Sequence, residues 1–193
     1  MQKLTRADLL TLEAYHEQRA ALRAKVLAHK ARRKVFIGAH AGLYFEDRLT
    51  IQYQIQEMLR VEKIFVGAAI QEELDAYNPL IPDGDNLKAT FMLEYTDVEE
   101  RRVALGALRG IEHQVWLEVE GQPRVAAVPD EDLERADETK TAAVHFLRFQ
   151  LPAMTAAAFK AGGTVRMGIN HPAYRHALTL PEETRAALAA DLD

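Results

Sequence analysis

Glu62 is the side chain whose surroundings most strongly indicate chemistry in this sequence. A helix over residues 48–66 turns by about 100° per residue and places Glu62 near the middle of an apolar face. That face comprises Ile51, Ile55, Met58, Leu59, Phe65 and Val66. No base stands three or four positions away, so Glu62 has no partner on its own helix. Carboxylates among apolar side chains need a cation or hydrogen-bond donors, and many such groups are acids, bases or metal ligands. We therefore expect Glu62 inside the protein, either as a functional group or in a structural ion pair with an arginine such as Arg148 or Arg166.

One hypothesis for function is an enzyme or ligand-binding protein with a polar pocket beneath this helix. Glu62 would be the general acid or base of that pocket, and an arginine would hold an anion. The supporting residues are Arg48 and Arg60 for the anion, and Tyr77, Asn78 and His171 for orienting the substrate. The substrate and any cofactor stay open in this hypothesis.

A polar row on the other side of the same helix suggests a different use. The row comprises Gln52, Gln56, Arg60 and Lys63. Amide and basic side chains at this spacing are typical of a solvated face or of an interface. The row is therefore a candidate surface for binding a ligand or a partner.

Histidines provide a third and weaker alternative, a carboxylate/histidine metal site. Glu62 would share the ion with His145 or His171. His171 begins a compact polar cluster that also contains Tyr174 and follows a predicted strand. His-Glu-x-x-His and the glycine-rich nucleotide-binding patterns do not occur in the sequence, so those sites have no local support.

Composition excludes several classes of protein. The 193 residues include no cysteine, which excludes disulfides and thiolate chemistry, and no serine, which excludes a serine nucleophile. The formal net charge of −5 argues against a nucleic-acid binder. Apolar runs are too short to span a membrane, and the first residues do not lead into a secretory segment. We therefore expect a cytoplasmic protein with neither a membrane nor a nucleic-acid partner.

Charge is unevenly distributed along the chain. Residues 1–34 contain nine bases and three acids, a net charge of +6, whereas residues 35–193 carry a net charge of −11. Attraction between the two parts, within one chain or across a dimer, is the simpler interpretation. The alternative is that the basic run 30–34 holds a phosphate or a nucleic-acid backbone.

Residue periodicity predicts an α+β fold. Helices are expected at 6–30, 48–66, 97–109, 152–161 and from 181 onward, and strands at 35–37, 43–45, 87–95, 115–119, 124–128, 142–151 and 165–169. Residues 71–86 read as a helical turn followed by an ordered loop, and the acidic stretch 130–138 as a loop or helical turn. Hairpin turns between strands indicate one domain, 1–193, with a largely antiparallel sheet packed by several helices. A long, basic N-terminal helical segment (1–34) would precede the α+β body (35–193).

Five segments resemble a bacterial family catalogued as a domain of unknown function. They are residues 45–62, 73–82, 87–90, 143–146 and 171–174, and the resemblance extends over nearly the whole chain. Members of that family are often encoded near rubrerythrin-like and Fe–S oxidoreductase genes. The resemblance implies an accessory role in redox or oxidative-stress metabolism and no assigned catalytic residue.

The leading expectation is therefore an accessory or binding protein without redox chemistry of its own. We expect a homodimer, with an Fe–S or rubrerythrin-like protein as a candidate partner. Such a partner would bind the basic N-terminal helix or the row formed by Gln52, Gln56 and Arg60.

Overall fold

Alternating apolar and polar side chains along Asn86–Leu93 form the central strand of the larger of two antiparallel sheets. The computed structural model describes residues 1–131, 135 and 139–193. Those residues contain the strands β1 (Lys34–Ile37), β2 (Ala41–Phe45), β3 (Asn86–Leu93), β4 (Val115–Val119), β5 (Val125–Ala126), β6 (Val128–Pro129), β7 (Val144–Gln150), β8 (Val165–His171) and β9 (Tyr174–Thr179). The first sheet has the order β1-β2-β3-β7-β6 and the second the order β5-β4-β8-β9.

The main hydrophobic core lies between these two sheets. Leu43, Phe91 and Phe149 of the first sheet and Leu117 and Met167 of the second are fully buried within it. Successive side chains of a strand point to opposite faces, so the alternate residues of the first sheet form an outer face that points away from this core.

Six α-helices are found in the described residues, and they pack around the sheets. They are α1 (Leu12–Ala31), α2 (Arg48–Val61), α3 (Gly67–Tyr77), α4 (Val98–Ala107), α5 (Ala153–Lys160) and α6 (Glu182–Ala189). The predicted α+β class, the largely antiparallel pairing and the long N-terminal helix are confirmed. None of the helices in this part of the chain combines the length and apolar character that crossing a bilayer requires.

Several observed elements differ from the prediction, among them α2, which ends at Val61 and not at residue 66. Helix α1 begins at Leu12, because Thr11 caps it by accepting a hydrogen bond from the backbone N–H of Ala14 at 3.3 Å. Residues 71–86 are more helical than predicted, since α3 is a full helix. Strand β9 was missed because it is an edge strand whose side chains are mostly exposed, which leaves no apolar alternation to detect. The prediction for the acidic stretch falls largely on residues 132–134 and 136–138, which lie outside the described residues.

A second, smaller core lies beneath the N-terminal segment, which runs across α2 and α3 before α1 begins. Its buried members are Leu4, Ile51, Ile55, Leu59, Leu74 and Ile81.

Ion pairs add to this packing, because bases of the first 34 residues meet carboxylates of the body. The pairs are Lys3–Asp83, Arg19–Glu57, Arg32–Glu183 and Arg33–Asp191. Attraction within the chain is thus one outcome of the uneven charge distribution.

Candidate functional site

Glu62 does not lie inside the protein, so the central geometric prediction is wrong. Helix α2 ends at Val61, and Glu62 is its exposed C-terminal cap residue. The backbone then enters the left-handed region at Lys63, where φ is +53°. Phe65, which a longer helix would have placed beside Glu62, is instead 73% exposed. The apolar face surrounding Glu62 therefore existed only in a helix extended past its true end.

Two members of the predicted polar row, Gln52 and Gln56, bind the N-terminal segment of the same chain. The side-chain amide of Gln56 forms two hydrogen bonds with the backbone of Leu10. Its Oε1 accepts from the Leu10 N–H at 2.6 Å, and its Nε2 donates to the Leu10 carbonyl at 3.3 Å. Gln52 donates to the Asp8 carbonyl at 2.6 Å, and Arg48 binds the Asp8 carboxylate at 2.5 Å. These side chains are therefore occupied by structural contacts within the chain.

Asn78 makes the same kind of contact further along the segment. Its Oδ1 accepts from the Leu4 N–H at 2.8 Å, and its Nδ2 donates to the Leu4 carbonyl at 2.8 Å. The neighbouring Tyr77 is partly buried against the second core. The structure thus gives both residues a packing role beside α3.

Arg60 lies in an ion-pair cluster around Glu57. The Glu57 carboxylate accepts from Arg19 at 2.7 Å, from the Tyr15 hydroxyl at 2.6 Å and from Arg60 at 3.2 Å. Arg19 above all, with smaller contributions from Tyr15 and Arg60, lowers the pKa of Glu57 to about 2. This cluster joins α1 to α2.

His171 and Tyr174 stabilise the turn between β8 and β9. His171 Nε2 lies 3.0 Å from the Arg109 carbonyl and its Nδ1 accepts from the Ala173 N–H at 3.2 Å, so both ring nitrogens have backbone partners. The Tyr174 hydroxyl donates to the Ile37 carbonyl at 2.8 Å and accepts from the His40 N–H at 3.0 Å. Tyr174 thereby connects the second sheet to the β1–β2 turn through hydrogen bonds.

His145 belongs to a buried polar network. Its Nδ1 lies 2.5 Å from the Asp130 carboxylate, and its Nε2 lies 2.8 Å from the Thr141 hydroxyl. Thr141 donates in turn to the Glu112 carboxylate at 2.9 Å. Both ring nitrogens of His145 thus have hydrogen-bond partners within a buried network that joins Asp130, Thr141 and Glu112.

The proposed metal ligands are not brought together. Glu62 is exposed at the end of α2, His145 is buried with Asp130 and Thr141, and His171 bonds to backbone groups. Within the described ranges, no group of three or more His, Asp and Glu side chains is arranged to hold a metal ion. The structure therefore gives no support to the metal hypothesis.

A cleft of about 860 Å³ lies on the outer face of the first sheet. Its lining includes Glu46, Asp83, Lys88, Phe146 and Arg148. We call it the outer-face cleft. Strands β3 and β7 form its floor, and α3 with the loop after it forms a wall. Its volume is in the range of small-molecule binding sites.

Glu46 is the unusual residue of the outer-face cleft. It precedes the capping residue of α2, and it is only 9% exposed. One carboxylate oxygen accepts from the Thr90 hydroxyl at 2.8 Å and the other from the Thr50 hydroxyl at 2.6 Å. The part of the chain that the structure describes offers Glu46 no ion-pair partner.

Lys88 lies opposite Glu46 on the neighbouring strand, but its ammonium group is engaged elsewhere. The backbone N–H of Glu46 donates to the Lys88 carbonyl, so the two residues are neighbours across adjoining strands. The Lys88 ammonium nevertheless lies 2.7 Å from Asp83 and also donates to the Pro79 and Ile81 carbonyls. The Lys88 ammonium group therefore does not pair with the Glu46 carboxylate.

The remaining cations of the cleft are also paired. Lys3 reaches in from the N-terminal segment and binds Asp83 at 2.7 Å. Burial alone would raise the pKa of Asp83, but hydrogen bonds from Lys3, Lys88 and Asn86 outweigh it and hold that pKa well below its ordinary value. Arg148 makes two bonds of 2.7 Å to Glu131, which lower the pKa of Glu131.

Sequence reasoning missed this cleft although part of its signal was present. The alternation along β3 places Lys88 and Thr90 on one face, and Asp47 was recognisable as a helix cap. Glu46 sits next to that cap, but its burial depends on Thr90, 44 residues away. A contact of that kind has no local pattern in the sequence.

Comparisons with known proteins agree with the resemblance noted from the sequence. The family described as "Protein of unknown function (DUF3501)" matches residues 3–192. A protein of unknown function from Burkholderia pseudomallei K96243, with a crystal structure at 1.90 Å resolution, is 52% identical over 100% of both chains, with a TM-score of 0.95. No curated protein matches the chain. A family of unknown function is thus confirmed, and the chain belongs to the DUF3501 family.

Proposed function

We propose that this chain is a cytoplasmic small-molecule-binding protein whose ligand carries a protonated amine and occupies the outer-face cleft. Glu46 carries the proposal, because it is a nearly buried carboxylate that lines the cleft and lacks a cationic partner among the described residues. Burying a charge without a counter-ion is unfavourable. An ammonium group in the cleft would provide the counter-ion through charge-assisted hydrogen bonds.

The charge of the rest of the cleft favours a cationic ligand over an anionic one. Its carboxylates are Glu46, Asp75, Asp83, Asp85 and Glu131, and its cations are Lys3, Lys88 and Arg148. Each of these three cations already bonds to a carboxylate of the cleft. An anion would therefore have to displace an existing ion pair, whereas an amine would reduce the excess of negative charge.

Apolar groups in the lining suit the carbon chain of such an amine. They are the side chains of Ala76, Pro79, Leu80 and Phe146. Apolar contact of this kind stabilises a ligand by about 25 cal/mol per Å² of buried area. A short alkylamine or diamine thus matches both the charge and the apolar surface of the cleft.

The test measures binding of putrescine, agmatine and spermidine at constant ionic strength, first by melting temperature and then by titration calorimetry. At least one of them is expected to bind saturably to the wild-type protein. Glu46→Gln is expected to weaken that binding about tenfold or more, because a hydrogen bond to a charged group contributes about 1.5–3 kcal/mol.

Glu62→Gln is the matched control, since it makes the same chemical change at an exposed position outside the cleft. It is expected to leave amine affinity unchanged. The melting temperature of ligand-free Glu46→Gln reports separately whether that variant is folded. Equal affinity in a folded Glu46→Gln variant, or no saturable binding of any of the three amines, would contradict the proposal.

An accessory role in redox or oxidative-stress metabolism is a separate proposal. It is supported by the family resemblance, since members of that family are often encoded near rubrerythrin-like and Fe–S oxidoreductase genes. A purified Fe–S oxidoreductase or rubrerythrin-like protein from the same genome is expected to bind the chain in surface plasmon resonance. Failure of both proteins to bind at micromolar concentration would remove this proposal without affecting the amine proposal.

A further inference from the structure

The corner between α2 and α3 exposes an unusual amount of apolar surface. Phe65 is 73% exposed, Val66 is 58% exposed and Val61 is 57% exposed. Scattered apolar side chains are normal on protein surfaces, but contiguous ones mark interaction sites. We call Val61, Phe65 and Val66 the corner patch.

An apolar groove adjoins the corner patch. It has a volume of about 410 Å³ and lies between the N-terminal segment and the corner. Its apolar lining comprises Leu9, Leu10, Leu12, Leu59, Ile64, Phe65 and Ile70. Phe65 belongs to both features, so the corner patch and the groove form one continuous surface. On this surface the exposed ring of Phe65 projects beside the groove.

The left-handed backbone at Lys63 follows the end of α2 and precedes Phe65 and Val66. A non-glycine residue in that region is uncommon and costs conformational energy of roughly 1 kcal/mol. The chain therefore adopts an unfavourable backbone conformation next to these exposed apolar side chains.

Charges of both signs surround the corner patch and groove. Arg6 and Glu13 line the groove, and Glu62 and Lys63 lie within the corner itself. None of these four has an ion-pair partner among the described residues. Two unpaired cations and two unpaired anions thus border a single apolar surface.

We propose that a second copy of this chain covers the corner patch and groove. A two-fold symmetric interface brings the same surface of each subunit together, so the surface must complement itself. Balanced charge around an apolar centre meets that requirement, because the cations of one copy can meet the anions of the other. The exposed Phe65 of each copy would enter the groove of its partner. This inference does not depend on the proposed amine site.

The first test compares two variants by sedimentation velocity over a range of concentrations. Phe65→Lys is expected to weaken dimerisation at least about thirtyfold, as loss of a central aromatic anchor does. Met154→Lys is the matched control, because Met154 on α5 is 72% exposed and lies outside the corner. It is expected to dimerise like the wild type. A wild-type protein that stays monomeric to about 100 μM, or a dimer that survives Phe65→Lys, would overturn the proposal.

A second test uses the balanced charges. The double variants Arg6→Glu/Lys63→Glu and Glu13→Lys/Glu62→Lys each leave one sign of charge around the patch, so each is expected to dimerise more weakly than the wild type. An equimolar mixture is expected to form a heterodimer at least about tenfold more stable than either homodimer. A mixture that associates no better than its separate components would show that another surface holds the dimer.

Discussion

Arg33→Met is expected to lower the free energy of unfolding by about 3–5 kcal/mol, the usual result of removing one partner of a buried ion pair. Arg33 is 2% exposed, and its guanidinium binds the Asp191 carboxylate and the carbonyls of Phe45, Glu46 and Ala187. These contacts connect the first sheet to the C-terminal end of the chain. Urea unfolding at pH 7 measures the loss.

The loss in Arg33→Met is also expected to depend on pH. Burial raises the pKa of Asp191 to about 6, even though Arg33 opposes that rise. A carboxyl pKa that is higher in the folded state than in the unfolded state means that stability falls as pH rises through about 6. Without Arg33 the pKa of Asp191 is expected to rise further, so the fall continues to higher pH and the variant loses less stability at pH 5 than at pH 8.

Two comparisons check that the charge of Arg33 is responsible. Arg32→Met removes an exposed base 3.9 Å from Glu183 and is expected to change stability by less than about 0.5 kcal/mol. Arg33→Met/Asp191→Leu removes both charges and is expected to recover part of the loss. An Arg33→Met variant as stable as Arg32→Met would show that the buried pair contributes nothing.

His145→Phe is the substitution with the second largest expected effect, a loss of about 2–3 kcal/mol, because it leaves buried hydrogen-bond partners unsatisfied. The ring would still fill the space, but the hydrogen bonds of the imidazole to Asp130 and Thr141 would be lost, whereas the ion pair of Asp130 with Arg135 would remain. Thr141→Val removes only the hydroxyl of the same network and is expected to cost about 1–2 kcal/mol. Thermal and urea unfolding of the two variants measure the difference.

His113→Phe is the control for His145→Phe. His113 lies 3.8 Å from the same Glu112, but its side chain is 65% exposed. Its replacement is expected to change stability by less than about 0.5 kcal/mol. Similar losses in both histidine variants would mean that burial between the carboxylates is not what makes His145 important.

Much of the fold follows from local patterns in the sequence. The alternation that predicts β3 and the capping residue Asp97 that starts α4 are both observed in the structure. These features depend on residues within a few positions of each other, so a sequence reveals them. Edge strand β9 lacks an apolar alternation and was therefore not predictable in this way.

The candidate site followed much less from the sequence, and Glu62 shows why. Its predicted burial required α2 to continue past Val61, and a single left-handed residue ended the helix earlier. Glu46 and Glu62 cannot be told apart by residue type. Their difference comes from Thr90 on a distant strand and from the cleft above it.

A similar limit applies to the polar row of α2. Gln52 and Gln56 have the residue types and spacing of a binding surface, and they do bind peptide groups. Those peptide groups belong to the N-terminal segment of the same chain. Periodicity identifies a face that can form hydrogen bonds, but it does not identify what covers that face.

A crystal structure of the protein with the tightest-binding of putrescine, agmatine and spermidine tests the amine proposal most directly. We expect an ammonium nitrogen of the ligand within about 3 Å of a Glu46 carboxylate oxygen, with its carbon chain against Phe146. An amine bound at saturation elsewhere on the surface, with the outer-face cleft free of it, would contradict the assignment of Glu46 as the ligand-recognising carboxylate.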